Sequence, residues 1–245
     1  MAEVFGIIGG TGLYTPDIFD GFEKKCVESD YGEAELLRGK LGQADIVFLS
    51  RHGVSHSMPP HQINYRANIA ALNALGVSKI IAINAVGGIG PGTGPGALIV
   101  PDQIIDYSWG RAHTFYDSFV REMKHIDFTH PFNPDLRDQL VDCLKTLGKD
   151  FVGDGCYGCT QGPRLETAAE IRKYRQDGCS IVGMTGMPEA ALARELDIAY
   201  ASLCFSVNWA AGIKEAISLA EIKKCVDTST LEIQGILKAF FSSIV

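Results

Sequence analysis

The sequence predicts an α/β fold: a single domain over residues 1–245, with a mixed central β-sheet flanked by helices. Three observations carry this expectation. Short apolar, β-branched runs alternate with stretches of helical periodicity; glycines stand at the helix ends; and glycine or hydroxyl-bearing residues follow the apolar runs directly. The chain has 245 residues, 46% of them hydrophobic, enough for one large core, and no repeat or low-complexity block divides it.

The elements follow in order. Residues 4–8 read as a buried strand that breaks into Gly9-Gly10-Thr11-Gly12, and residues 46–49 as a second strand. Residues 65–75 read as a helix closed by Gly76, with glycine supplying the left-handed cap. Residues 79–84 form the next strand. A helix over 166–177 ends at Gly178 and leads to a strand over 180–182; Pro188 opens a helix through Glu195, followed by a strand over 198–205. Leu231, Ile236, Phe240 and Ile244 recur at helical spacing, so residues 230–245 end the chain on a helix. Residues 86–101 are crowded with glycine and proline between strands, which suggests an ordered loop whose backbone approaches a ligand.

The net charge of −7, from 22 basic and 29 acidic residues, argues against nucleic acid or an anionic membrane as the main partner. It leaves room for a small anion held by a few local donors. No secretory signal and no apolar run of spanning length is seen, so the cytoplasm is the expected compartment. Seven scattered cysteines suit reduced, buried thiols. Cys156 and Cys159 have C-x-x-C spacing, but no second pair accompanies them and no helix-opening context follows; neither zinc nor redox chemistry is expected, and no metal.

In open α/β sheets ligands bind beyond the carboxyl ends of the strands. The segments found there are Gly9-Gly10-Thr11, Ser50-Arg51-His52, Asn84-Ala85-Val86-Gly87-Gly88, Gly183-Met184-Thr185 and Ser206-Val207-Asn208. Thr11, Arg51, His52, the Asn84-Ala85 backbone and Thr185 describe an anion site with one fixed cation, hydroxyls, an imidazole and glycine-framed N–H groups. Inorganic phosphate fits that set, with Arg51 as a bidentate partner. The opening loop matches neither the dinucleotide fingerprint nor the P-loop, because Thr15 stands where a third glycine is needed and no lysine follows.

Together, Gly9-Gly-Thr-Gly-Leu13, Arg51-His52-Gly53, Asn84-Ala85-Val86-Gly87-Gly88, Gln161-Gly-Pro-Arg-Leu-Glu-Thr167 and Gly183-Met-Thr-Gly-Met-Pro-Glu189 resemble the trimeric purine nucleoside phosphorylases, and most of all their methylthioadenosine and methylthioinosine phosphorylase branch. The resemblance runs from about Val4 to the C-terminal helix. It implies a homotrimer, with inorganic phosphate as co-substrate, a nucleoside as substrate and no cofactor. It implies further that Thr11, Arg51, His52, Asn84, Ala85 and Thr185 take the phosphate, that Met184 lies against the ribose, and that Leu165 stands where the family usually places a phenylalanine against the purine. Glu166 and Asn208 correspond to the residues reading the purine edge in oxopurine members. Adenosine-type members carry aspartate at the position of Asn208 and again two residues on, where this chain has Ala210. Thr11, Arg51 and Asn208 would carry the catalysis. His56 and His125 are both candidates; a histidine in the context of His125 reaches the 5′ pocket of the neighbouring subunit in relatives, and His61, His113 and His130 are given no role.

The chemistry of the base edge agrees with that implication. A 6-oxopurine offers N1–H as donor and O6 as acceptor, so Glu166 can accept the first while the Asn208 amide serves O6 and N7. Adenine would set its bare N1 against the carboxylate. Alternatively, Glu166 caps a helix beside Thr167. Relatives that prefer a free 5′-hydroxyl carry a histidine about a dozen residues past Asn208; this chain has Ile217-Ser218-Leu219-Ala220-Glu221-Ile222 there. An apolar wall of Leu219, Ala220 and Ile222 favours a 5′-methylthio group, although Ser218 leaves room for a polar contact, with a general inosine and guanosine phosphorylase or a methylthioadenosine phosphorylase as alternatives. A nicotinamide-binding protein would need a ribose-binding acid such as Glu28 or Asp30, a nucleoside hydrolase would leave Arg51 and Thr11 without an anion, and a purine-sensing module would bind without turnover.

Overall fold

In the computed structural model, which describes residues 3–13, 17–53, 57–117, 124–214 and 219–244 (Leu219 by its backbone alone), eleven strands form one sheet. Its centre is made by β1 (Val4–Gly9), β4 (Ala44–Ser50), β5 (Val77–Gly88) and β11 (Ala199–Trp209), all parallel. On one side the sheet ends in an antiparallel hairpin of β2 (Glu23–Ser29) and β3 (Gly32–Leu41), with β3 against β4. At its far end β5 also pairs, antiparallel, with β10 (Cys179–Gly183). Beyond β10 lie β9 (Cys156–Cys159) and β7 (Gln103–Asp106), both parallel to it in turn. The short β6 (Leu98–Ile99) joins β11 to β8 (Phe151–Val152). The mixed sheet expected from the sequence is what the chain forms.

The central strands are apolar at consecutive positions because both faces are covered. Ile8, Val47, Leu49, Ile80 and Ala82 face one layer with Ile69 and Leu72 of α1 (Tyr65–Ala74) and Leu192 of α4 (Gly186–Glu195). Their neighbours Ile7, Ile46, Phe48, Ile81 and Ile83 face the other layer. There they meet Leu136, Leu140 and Leu144 of α2 (Pro134–Thr146) and Ile233, Leu237 and Phe241 of α5 (Leu219–Ser242). The remaining helix, α3 (Ala168–Gln176), packs on β10. Caps hold the helix starts: the Asn64 side chain accepts from the Ala67 amide, and the Asn133 side chain from that of Leu136.

Several expectations change. Residues 84–88 extend β5 rather than follow it, and Asn208 belongs to β11 itself. The C-terminal helix begins eleven residues earlier than the apolar spacing suggests, and Leu231 is exposed. Thr167 caps α3 and Glu170 completes its capping box, so Glu166 lies outside the helix and does not cap it. Within residues 86–101, Gly88 serves packing: a Cβ there would stand 1.9 Å from the Thr93 carbonyl oxygen. Thr93 is itself fully buried, and its hydroxyl closes the turn on Gly90. Cys156 and Cys159 fall on strand β9; Cys156 is the register partner of Cys179, while the Cys159 sulfur accepts the Met187 amide.

Candidate active site

The ends of β1, β4, β5, β10 and β11 converge on a cavity of about 350 Å³, within the roughly 300–1,000 Å³ usual for small-molecule sites. Ten of the residues singled out in the sequence line it: Thr11, Arg51, His52, Ala85, Leu165, Glu166, Met184, Thr185, Asn208 and Ala210. Asn84 stands one layer back. Its Oδ1 accepts the Thr185 hydroxyl at 3.0 Å and its Nδ2 donates to the Ser202 hydroxyl at 2.7 Å, so it orients Thr185 rather than forming the wall. His125 is exposed and off this wall. His56, Ile217 and Ser218 lie outside the described residues, as does the side chain of Leu219.

The glycine loop owes its composition to what packs on it. A Cβ on Gly10 would meet Arg51 Nη1 at 2.8 Å, and Gly12, at φ +87°, leaves room for Val226 and Thr230 of α5. Arg51 enters beside this loop and is 1% exposed. Its Nε and Nη2 donate to the two oxygens of Glu189 at 2.6 and 2.8 Å, and Nη1 donates to the Ile83 carbonyl at 3.2 Å. The Tyr200 hydroxyl donates to Glu189 Oε1 at 2.7 Å. Burial alone would lower the Arg51 pKa, but the charge and hydrogen bonds of Glu189 hold it above its ordinary value. The expected fixed cation is therefore half of a buried, bidentate ion pair. Among the described residues, three of its five N–H groups find partners, leaving one each on Nη1 and Nη2. Sequence reading gave no role to Glu189, because its partner lies 138 residues away.

His52, 6% exposed, donates from Nδ1 to the Met58 carbonyl, which fixes the ring and its tautomer. Asn208 is aimed by a β-bulge: Ser206 pairs with Val86 and Asn208 with Gly87, so Val207 is the extra residue and both Val207 and Asn208 reach the wall. Asn208 Nδ2 donates to the Trp209 carbonyl at 2.8 Å, which turns its oxygen away as an acceptor. The Glu166 carboxylate accepts the Thr160 hydroxyl at 2.6 Å. Leu165 is 61% exposed at the rim. Trp209, overlooked in the sequence, supplies the only indole or phenyl ring on the described wall. On α5, Ile222 and Val226 line the cavity one helical turn apart, whereas Ala220 is exposed on another face. Of the expected apolar wall, Ile222 lines the cavity, Ala220 does not, and Val226 joins Ile222 there.

Among the described residues there is no cluster of His, Cys, Asp and Glu that could hold a metal ion, and no helix long and apolar enough to cross a membrane. Glu28 and Asp30, the acids a nicotinamide-binding protein would have needed, lie on β2 and its hairpin turn at the sheet edge, away from the cavity.

A family model described as the phosphorylase superfamily matches residues 4–242. The chain belongs to the phosphorylase superfamily. The resemblance carried by the strand-end motifs is borne out. Among curated relatives of this phosphorylase, a probable S-methyl-5′-thioinosine phosphorylase of Xanthomonas campestris pv. campestris is 48% identical over 228 residues, covering 91% of each chain. The 6-oxopurine nucleoside phosphorylase of Pyrococcus furiosus is 47% identical over 212 residues, 84% of this chain and 80% of that one. Among solved structures, the methylthioadenosine phosphorylase of Schistosoma mansoni in complex with adenine superposes with a TM-score of 0.92 at 30% identity, over 100% of this chain and 92% of its own.

Proposed function

We propose that this phosphorylase cleaves 6-oxopurine 5′-methylthionucleosides, converting S-methyl-5′-thioinosine and inorganic phosphate to hypoxanthine and 5-methylthioribose 1-phosphate in purine salvage. One observation carries the reading: a single cavity is lined by the hydroxyl, imidazole and guanidinium groups of Thr11, Thr185, His52 and Arg51, by the carboxylate and amide of Glu166 and Asn208, and by the apolar Ile222 and Val226.

Phosphate sits among Thr11, Ala85, Thr185, His52 and the two remaining N–H groups of Arg51. Glu189 neutralises that guanidinium, so the phosphate keeps its own negative charge for the sugar it faces. Purine departure builds oxocarbenium character at C1′; phosphate stabilises that charge and then attacks C1′ with inversion. Met184 lies against the ribose. Glu166 accepts N1–H of the oxopurine, and the Asn208 oxygen accepts N7–H as the base leaves, which stabilises the leaving group. Adenine sets two acceptors against each other at Glu166, and with neither Asn208 nor Ala210 an aspartate, nothing rewards its amino group. No cofactor takes part.

The same reading carries a cytoplasmic homotrimer in which His125 of one copy reaches the 5′ end of its neighbour's cavity. The exposed Leu165 and Trp109 are apolar surface that such a neighbour can cover.

At the 5′ position a methylthio group gains about 25 cal/mol per Å² of apolar area buried on Ile222 and Val226. A hydroxyl left there without a partner loses about 1–3 kcal/mol. Both terms act in one direction, so S-methyl-5′-thioinosine should exceed inosine by at least about tenfold in kcat/KM. A side-by-side assay at saturating phosphate measures this. Inosine as the better substrate would make the protein a general purine nucleoside phosphorylase instead.

A further inference from the structure

Glu166 stands on the loop before α3, and its side chain borders two spaces. One is the main cavity; the other is a smaller cavity of about 160 Å³ lined by Tyr107, Trp109 and Tyr174 among others. A partly buried carboxylate between two spaces can turn into either, and only one orientation presents it to a purine. Thr160, on the wall of the smaller cavity, holds one of the two carboxylate oxygens from that side. It is 5% exposed and tied down at each backbone group: its amide donates to the Gly183 carbonyl at 2.8 Å, and its carbonyl accepts Arg111 Nη2 at 3.1 Å. Arg111, itself buried, also donates to the Gln161 carbonyl and side chain, so the backbone under Thr160 is locked. From this fixed point the Thr160 hydroxyl, with a single proton to give, lies 2.6 Å from Glu166 Oε1 and 3.3 Å from the Gly183 carbonyl; the shorter contact takes it. Glu166 Oε2 receives no hydrogen bond from the described residues and is left as the acceptor for a ligand.

We infer that Thr160 is a positioning residue for base selection: its hydroxyl holds Glu166 Oε1 so that Oε2 meets the N1–H donor of a 6-oxopurine. The inference rests on the reading of Glu166 as the base-edge acceptor. It also separates the roles at the two ends of the cavity, because Thr160 does not touch the phosphate residues.

The test compares Thr160→Val, which keeps the shape and removes the hydroxyl, with Thr160→Ser, which keeps the hydroxyl. Thr160→Val is expected to raise KM for the 6-oxopurine nucleoside roughly tenfold, with kcat and the KM for phosphate changed less than about twofold. Thr160→Ser should return the nucleoside KM to within about twofold of the wild type. In a Glu166→Ala background, Thr160→Val should add nothing, since a residue acting through Glu166 has nothing left to act on. An unchanged nucleoside KM in Thr160→Val, a Ser variant as impaired as the Val variant, or a full additional loss in the Glu166→Ala background each overturns the role of Thr160. The wild type in the same assay reports on the underlying reading: if it favours the 6-aminopurine nucleoside, that reading fails and takes the inference with it.

Discussion

At the phosphate end of the cavity Arg51 and Glu189 are each 1% exposed and Tyr200 2%, bonded to one another inside the sheet and its flanking helix; at the base end Leu165 is 61% exposed and Glu166 stands on a loop. One end is part of the hydrophobic core, with its polar groups satisfied by partners far apart in sequence. The other is carried on connecting segments and steadied by a few hydrogen bonds. The difference separates two consequences of mutation. Changes at the buried end should cost the fold as well as phosphate binding, while changes at the open end should alter which base is accepted and leave the fold intact.

The largest expected effect is at the buried end. Glu189→Gln removes one charge of a fully desolvated pair and should cost about 3–5 kcal/mol of stability, read by chemical denaturation. Arg51→Ala should destabilise similarly and raise the KM for phosphate strongly, since two N–H donors to the anion are lost with the pair. A loss below about 1 kcal/mol in Glu189→Gln would show that the pair behaves like a surface ion pair, and the contrast between the two ends would collapse.

Next comes Asn208, on the bulge of β11. Asn208→Asp replaces the Nδ2 donor with an acceptor 2.8 Å from the Trp209 carbonyl and sets a carboxylate near O6. Oxopurine cleavage should fall by about 1–3 kcal/mol, or roughly five- to 150-fold in kcat/KM. Cleavage of adenine nucleosides should rise only slightly, limited by Glu166 and Ala210. An unchanged ratio of oxopurine to aminopurine kcat/KM would remove Asn208 from base selection.

The smallest effect is expected at the rim. Leu165→Phe offers a ring to the purine at an exposed position, where an aromatic contact adds at most about 0.5–1.5 kcal/mol. The nucleoside KM should drop by a few-fold with no change in stability. A loss of stability of the size seen at Glu189 would mean that the rim is as integral to the fold as the buried end.

The same contrast explains what the sequence made legible. Helix, glycine and apolar strand recur as local units, so the central sheet and its strand-end motifs could be read without tertiary information. Thr11, Arg51, His52 and Thr185 line the cavity from the strand ends, while Ala85 lines it from inside the longer β5. Asn133 before Pro134, with Leu136, Leu140 and Leu144 four residues apart, signals α2 just as plainly. Glu189 could not be paired from sequence, because its partner comes from the other half of the chain. The start of α5 was hidden for a different reason: Thr228, Ser229 and Thr230 interrupt the apolar spacing with residues of modest helix propensity, yet all three lie inside the helix. The bulge at Val207 depends on register against β5, which no local pattern encodes.

The central claim is that the buried end of the cavity holds phosphate as the attacking group. It is tested most directly by following hypoxanthine released from S-methyl-5′-thioinosine in phosphate-free buffer, and then after phosphate is added. Release should be close to background before the addition and should rise with phosphate concentration to saturation, with 5-methylthioribose 1-phosphate formed in equal amount. Equal rates of hypoxanthine release with and without phosphate, yielding free methylthioribose, would contradict the account and make water the nucleophile.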